Sequence, residues 1–341
     1  MKRAGRTLRA GVIGLGVGEQ HIAGYSAHPD CRVVALSDTD PVRCKAMATK
    51  YPDLEVLEDP FALLARDDID VVSIASPDDA HYAQILAAIE HRKHLFVEKP
   101  LCLRQEEFGE IRRRLKACPE IALSSNLILR GSPRFIDLRR RIREGELGDL
   151  YCLEADYNYG RIEKLISGWR GKIPEYSVML GGGVHVVDLL LWLTGKRVLE
   201  VAAFGNNICT RDTPFRGADA VLAIVRFEDQ SMAKVTANFG CVFPHFHRLL
   251  AYGTRATFEN GVDDARIWRS RDPGVAPERI ATAYPGVAKG ALIPSFVERI
   301  LRGTPAEATE NDVMHTMDVC FAIDRAVASG KVTPVEWQPL R

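Results

Sequence analysis

Across residues 8–125 short apolar, β-branched runs alternate with longer helical stretches, and this alternation constrains the fold more than any other feature of the chain. The runs cover residues 10–14, 32–37, a weaker EVL at Glu55, 71–76, 94–98 and 121–125. Most are apolar on both faces, as strands inside a parallel sheet must be. Parallel strands need crossover connections, and the intervening stretches read as helices. Asp59 followed by Pro60 is an N-cap and first-turn signal, while residues 78–91 and 104–117 form longer helical segments. Residues 7–126 are therefore expected to fold as an α/β domain with a doubly wound parallel sheet.

Beyond Asn126 the pattern changes. Residues 133–143 read as one amphipathic helix, with Phe135, Leu138 and Ile142 on one face and arginines on the other. The RRRIRE run reads as a solvated helix face. Extended runs follow at 150–159, 198–208, 220–227, 232–239, 247–252 and 256–259, with short connections such as RFEDQSMA that favour antiparallel pairing. Helical stretches at 184–193 and 311–329 accompany them. Residues 127–341 are expected to be an α+β domain with a large, mainly antiparallel sheet.

Charge and cysteine content narrow the partners. Lys plus Arg number 45 and Asp plus Glu number 45, a net charge of zero that gives no field toward nucleic acid or an anionic membrane. The 8 cysteines are scattered without a CxxC pair, so they read as reduced thiols and no metal site is expected. No apolar run reaches the roughly 20 residues of a spanning helix. The basic start, MKRAGRTLRA, runs straight into the first strand with no signal-peptide core, and a cytoplasmic location is expected.

The segment GLGVGEQH follows the first strand and opens a helix. Gly14, Gly16 and Gly18 let the backbone turn tightly and approach a pyrophosphate, whose charge meets the free amides of a helix N-terminus. The third glycine comes one residue early for a G-x-G-x-x-G spacing. Asp38 ends the second strand, about 20 residues on, where an acid accepts hydrogen bonds from a ribose diol. That favours NAD over NADP, since a 2′-phosphate meets like charge; Arg43 is the one nearby cation able to compensate by reaching back.

Glu98-Lys99-Pro100 ends the fifth strand, SPDDAH (Ser76, Pro77, His81) follows the fourth, and HVVD (His185, Asp188) opens a helix in the second half. With the glycine turn and Asp38 these come in one order and spacing, and the whole chain resembles the glucose-fructose oxidoreductase and inositol dehydrogenase family, Gfo/Idh/MocA. The resemblance implies a Rossmann domain holding a nicotinamide cofactor, hydride transfer involving a sugar, nucleotide sugar or cyclitol, a large open C-terminal sheet that binds substrate, and a homodimer or homotetramer formed through that sheet. It implies that Lys99 and His185 are catalytic. Ser76, Pro77, His81, Glu98 and Asn126 then belong to the cofactor site, and Arg130 to the substrate site. Relatives commonly carry an aspartate four residues before the histidine. Here that residue is Gly181 in a GGG run, so either the substrate hydroxyl is held differently or the proton relay is reduced to Lys99 and His185.

The chemistry accounts for these residue types. Oxidising a secondary alcohol removes hydride from carbon and a proton from oxygen, so a base is needed at the hydroxyl. His185, with an ordinary pKa of about 6.5, suits that task. Lys99 can donate to the same oxygen and stabilise developing negative charge, or relay the proton.

Residues 157–183 combine Arg161, Lys164, Arg170 and Lys172 with Trp169 and suit a phosphate or carboxylate beside a stackable ring, or else form a solvated loop. Asn158, Trp169 and Arg170 are candidate substrate contacts. His245 and His247 alternate and so share a face of an extended segment; His245 is the candidate contact, with packing as the alternative. Asp188 shares a helix face with His185 and either orients substrate or His185, or makes a buried polar bond. A different class of function, an NAD-binding sensor or scaffold without catalysis, is the alternative to the enzyme.

Overall fold

The computed structural model describes residues 7–173 and 176–340. The basic segment 1–6, residues 174–175 in the cationic stretch and residue 341 lie outside the described residues.

The first unit is built on β1 (Leu8–Ile13), β2 (Cys31–Ser37), β3 (Glu55–Leu57), β4 (Val71–Ile74), β5 (His94–Val97) and β6 (Leu123–Ser125). The helices α1 (Glu19–Ser26), α2 (Pro41–Lys50), α3 (Pro60–Leu64), α4 (His81–Glu90) and α5 (Gln105–Ala117) connect them. The strands lie in the order β3-β2-β1-β4-β5-β6, all parallel. This is the expected doubly wound sheet, and its strand order reverses at β1 and β4, where such sheets bind ligands beyond their carboxyl ends. The Asp59 carboxylate accepts from Phe61 N and caps α3 as anticipated, and Asp40, not expected as a cap, does the same for α2 through Val42 N.

The second unit opens with α6 (Pro133–Arg143), β7 (Leu150–Asn158) and the short α7 (Glu163–Ile166). A single π-turn, Met179–Gly183, leads into the wholly buried α8 (Val184–Thr194). Then come β8 (Val198–Asn206), β9 (Ala220–Phe227), β10 (Met232–Asn238), β11 (Phe246–Gly253), β12 (Thr257–Asn260), β13 (Ala265–Trp268) and β14 (Glu278–Ile280). The chain closes with α9 (Ile293–Arg302), α10 (Glu310–Ser329) and β15 (Thr333–Pro334). The nine strands order as β14-β13-β12-β11-β7-β10-β9-β8-β15. Pairing is antiparallel except at the centre, where β7 and β10 run parallel. The basic face of α6 is only partly solvated. Arg140 and Arg141 pair with nearby acids, but Arg134 is buried against Asn260 and the Thr282 carbonyl.

A single cut near residue 126 does not describe how the chain is divided. The first unit runs to Ile128 and takes the chain back for Val287–Met314 and from Pro339, while Leu129–Gly286 and His315–Gln338 form the second. The reason is a buried face. Leu292, Ile293, Phe296 and Val297 pack with Leu8, Val12, Tyr25 and Phe96 in one cluster, burial that favours the returned segment by roughly 1.5–3 kcal/mol per large side chain. Close approach is made possible by glycines: a Cβ on Gly24 would stand 2.6 Å from the Gly290 carbonyl oxygen. No described helix is long and apolar enough to cross a membrane.

Candidate active site

In the first unit the glycine turn is shaped by contact with the loop after β4. Gly14 has φ of +84°, and a Cβ there would fall 2.4 Å from the Ala75 carbonyl, so only glycine fits on both counts. Gly18 is the N-cap of α1, and its would-be Cβ lies 2.4 Å from the Gly14 carbonyl oxygen. Gly16 meets nothing nearer than the Arg43 guanidinium at 3.5 Å, so the middle of the turn is open to an approaching group. Asp38 accepts from Leu15 N at 2.7 Å and Asp40 N at 3.0 Å, which ties the turn to the end of β2. Arg43 reaches back to Asp38, Nη1 to Oδ2 3.2 Å, and supplies the compensating cation.

At the end of β5 a buried chain of polar groups surrounds Glu98. Its carboxylate takes a hydrogen bond from Asn126 Nδ2 at 2.6 Å and lies 3.3 Å from His21 Nε2. His21 Nδ1 meets Ser73 Oγ at 3.1 Å, and Tyr25 meets the same hydroxyl. Burial opposes charge on Glu98, but the His21 bond and the charges of His21, Lys99 and Lys289 outweigh it and hold the carboxyl down to about 2. Lys99, next in sequence and half-buried, thus stands beside a fixed anion. Asn126 also donates to the Lys289 carbonyl. Of this group His21, Tyr25, Ser73 and Lys289 carry no expectation from sequence, although GLGVGEQH contains His21.

The SPDDAH loop is held by its own histidine. His81 is fully buried, with Nδ1 2.7 Å from the Pro100 carbonyl and Nε2 3.0 Å from the Ser76 carbonyl. Both ring nitrogens serve to join the β4 and β5 loops, so His81 is a strut within the loop expected beside the cofactor. Ser76 donates to Gln84, and Pro77 is exposed at the loop's outer edge.

In the second unit the GGG run forms the π-turn, a form often found at functional sites, and each glycine accommodates a particular neighbour. A Cβ on Gly181 would lie 1.9 Å from the Tyr176 hydroxyl, on Gly182 2.3 Å from the Tyr157 ring, and on Gly183 2.2 Å from the Met179 sulfur. His185, one turn on, is buried and stacks with Tyr157, centroids 6.0 Å apart. Tyr157 also meets His245 and His247, each at 5.3 Å. Burial drives the Tyr157 phenol well above its ordinary value and keeps it neutral. His185, Tyr157, His245 and His247 therefore share one sheet face. Among the described residues no group of three or more His, Cys, Asp or Glu is placed to hold a metal ion.

Three expected substrate contacts are placed elsewhere. Arg130 and Asp188 form a buried ion pair, Nη2 to Oδ1 2.6 Å and Nε to Oδ2 2.9 Å, and Thr316 donates to the same carboxylate. Both are therefore committed to the interior, since a charge buried at such depth needs its partner. Asn158 alternates with Tyr157 along β7 and so lies on the opposite sheet face. Arg170 donates from Nε to the Tyr176 hydroxyl at 3.0 Å, and its guanidinium lies 4.4 Å over the Trp169 ring. His245 is exposed, whereas His247 is buried with Nδ1 on the Tyr284 hydroxyl.

The first unit's residues fit a dinucleotide. Gly14 and Gly18 bring the backbone close, Gly16 leaves the approach open, and the buried Asn126 Oδ1 has no hydrogen-bond partner among the described residues, an acceptor suited to a carboxamide.

Comparison with known proteins agrees. Residues 8–122 match the oxidoreductase family with an NAD-binding Rossmann fold, and residues 135–259 match the GFO/IDH/MocA C-terminal domain. An inositol 2-dehydrogenase of Acidothermus cellulolyticus is 27% identical over 254 residues, 74% of this chain and 72% of that protein. A D-glucoside 3-dehydrogenase of Escherichia coli is 28% identical over 55% of this chain and 54% of its own length. The fold is that of scyllo-inositol dehydrogenase from Lactobacillus casei, solved with NAD(H) and scyllo-inositol: TM-score 0.77, 20% identity, 97% of this chain and 99% of that one. With both of its halves matched in order along the sequence, the chain belongs to the Gfo/Idh/MocA family of NAD-dependent oxidoreductases.

Proposed function

We propose that the protein oxidises a secondary hydroxyl of a sugar, nucleotide sugar or cyclitol, or reduces the matching ketone, with Lys99 and His185 as the catalytic pair. The observation that carries this reading is the fixed Glu98 anion at the end of β5, held by His21 and Asn126 directly beside Lys99. NAD, when bound, supplies the hydride acceptor. His185 takes the hydroxyl proton, its ring set by stacking on Tyr157. Lys99 donates to the substrate oxygen and stabilises its negative charge as the proton leaves. Relatives that act on inositols and on glucosides support the substrate class.

The outer sheet face supports assembly with a second copy of the chain into a homodimer or homotetramer. Phe204 pairs with Leu222 and Ala202 with Ile224, and Phe204, Leu222 and Ile224 are all exposed. Aspartate at Leu222 and Ile224 is expected to yield a smaller species in sedimentation.

The test of function is direct. Protein with NAD is offered inositols, aldoses, glycosides and nucleotide sugars while NADH absorbance is followed, and the reading expects turnover with at least one class. Tight NAD binding with no turnover across the panel would instead favour a sensor or scaffold.

A further inference from the structure

Arg161 differs from most surface arginines of this chain. Arg66, Arg140, Arg141 and Arg269 each sit against one or more carboxylates. Arg161 is exposed and has no carboxylate partner among the described residues; its guanidinium lies over the Tyr159 ring, 5.3 Å from the centroid. A cation seated on an aromatic face keeps its N–H groups for an incoming anion.

The position of this arginine is built into the fold. Gly160 has φ of +59°, and a Cβ there would lie 1.9 Å from the Phe243 carbonyl oxygen, so the end of β7 presses against the loop before β11. That contact brings His245 edge-on to Tyr159 at 5.1 Å. Tyr159 stacks on Tyr157, 5.6 Å apart and 20° from parallel, and Tyr157 stacks in turn on His185. One aromatic track therefore runs within the second unit from a buried histidine to an exposed arginine. Lys164 and Lys172, exposed on the same stretch, also have no carboxylate partner among the described residues, and Glu163 is the one acid within 157–173, so this stretch is net cationic in a chain of zero net charge.

We infer that Tyr159, Arg161 and His245 form a subsite for a phosphate-bearing substituent, and that the substrate is a phosphorylated sugar rather than a free polyol. The inference rests on the reading above that the reacting hydroxyl lies at His185. The reacting ring occupies the buried end of the track against Tyr157. The phosphate lies at the Arg161 guanidinium, which Tyr159 seats, and the exposed His245 ring takes a further sugar or base. A neutral inositol leaves this outer end unused.

The experiment is equilibrium titration of the NAD-loaded protein with myo-inositol, glucose 1-phosphate and UDP-glucose at two salt concentrations. Both phosphorylated ligands are expected to bind more tightly than myo-inositol, with the advantage shrinking at high salt. Arg161→Ala is expected to weaken them about tenfold and leave myo-inositol unchanged. His245→Ala separates the two sources of phosphate: a loss for UDP-glucose alone indicates a nucleotide sugar, and equal losses indicate a simple sugar phosphate. No gain for either phosphorylated ligand, or an Arg161→Ala effect that extends to myo-inositol, overturns the subsite. Binding that depends on Arg161 in a protein that never reduces NAD would sink the dehydrogenase reading and leave the subsite standing.

Discussion

The Tyr176 hydroxyl lies 1.9 Å from the point where a Cβ on residue 181 would stand, so the phenol and any side chain at Gly181 exclude each other. The tyrosine is buried, and Arg170 fixes its oxygen through Nε. The turn that leads into His185 is thus packed by an aromatic ring where the resemblance led one to expect a carboxylate. This chain answers the missing aspartate with a phenol held by a guanidinium.

That exclusion gives the first prediction. Gly181→Ala should destabilise the protein by about 1–3 kcal/mol, the usual cost of forcing atoms into a packed site. Combining it with Tyr176→Leu should cost less than the sum of the two single changes, because the second removes what the first collides with. Urea unfolding of the parent and the three variants measures this, and strict additivity would mean the ring moves aside freely.

Cofactor choice gives the second. NAD should bind more tightly than NADP because Asp38 is a buried acceptor at the end of β2, and Asp38→Ala should narrow the gap. Arg43→Ala should widen it, since the one cation beside Asp38 is then lost. Titration of both dinucleotides decides, and tighter NADP binding by the unmodified protein would reverse the assignment of Asp38.

The third concerns chemistry. Lys99→Met and His185→Asn should each lower turnover by about 10² to 10⁴ while NAD affinity stays within a few fold. The double variant should lose less than the product of the single losses, because groups serving one proton transfer are not independent. Single-turnover hydride transfer is the measurement, and an unchanged rate in either folded variant removes that residue from the mechanism.

Acid–base stability gives the fourth. Asp324 on α10 is half-buried, and desolvation of its carboxyl raises it to about 7 against the opposing Ser177 bond, in which Ser177 Oγ donates to the carboxyl at 2.9 Å. The same hydroxyl accepts from Leu180 N in the π-turn. The folded state therefore holds this proton more tightly than the unfolded chain, whose aspartates titrate at about 3.9. Its stabilising effect is full below about pH 4, declines as pH rises, and is gone once pH passes about 7. Asp324→Asn should flatten that decline and leave the protein more stable than the parent at alkaline pH. Equal slopes for parent and variant in denaturation at several pH values would exclude the effect.

The sequence shows strands and helices where local chemistry decides them, and the site only in part. The first sheet is legible because its strands are apolar on both faces and Asp59, before Pro60, caps the helix after β3. α9 is missed, although Ile293, Phe296, Val297 and Ile300 recur at helical spacing around a first-turn Pro294, because no nearby strand suggests what its face would cover. Arg130 and Asp188 look like ligands of a substrate because sequence cannot show that two charges 58 residues apart neutralise each other. Asn158 fails for a simpler reason: one step along β7 changes the sheet face, so only Tyr157 and Tyr159 belong beside His185. The importance of Tyr176 depends on a ring filling space over Gly181, a fact of packing that no local pattern records.

The return of α9 to the first unit also sets an order of events during synthesis. A ribosome releases Leu8, Val12, Tyr25 and Phe96 early, but their packing partners Ile293, Phe296 and Val297 emerge only after β7 to β14 have been made. The nucleotide-binding half is begun first and completed late. Its released N-terminal part carries an uncovered apolar surface through most of translation, the condition under which nascent chains engage chaperones.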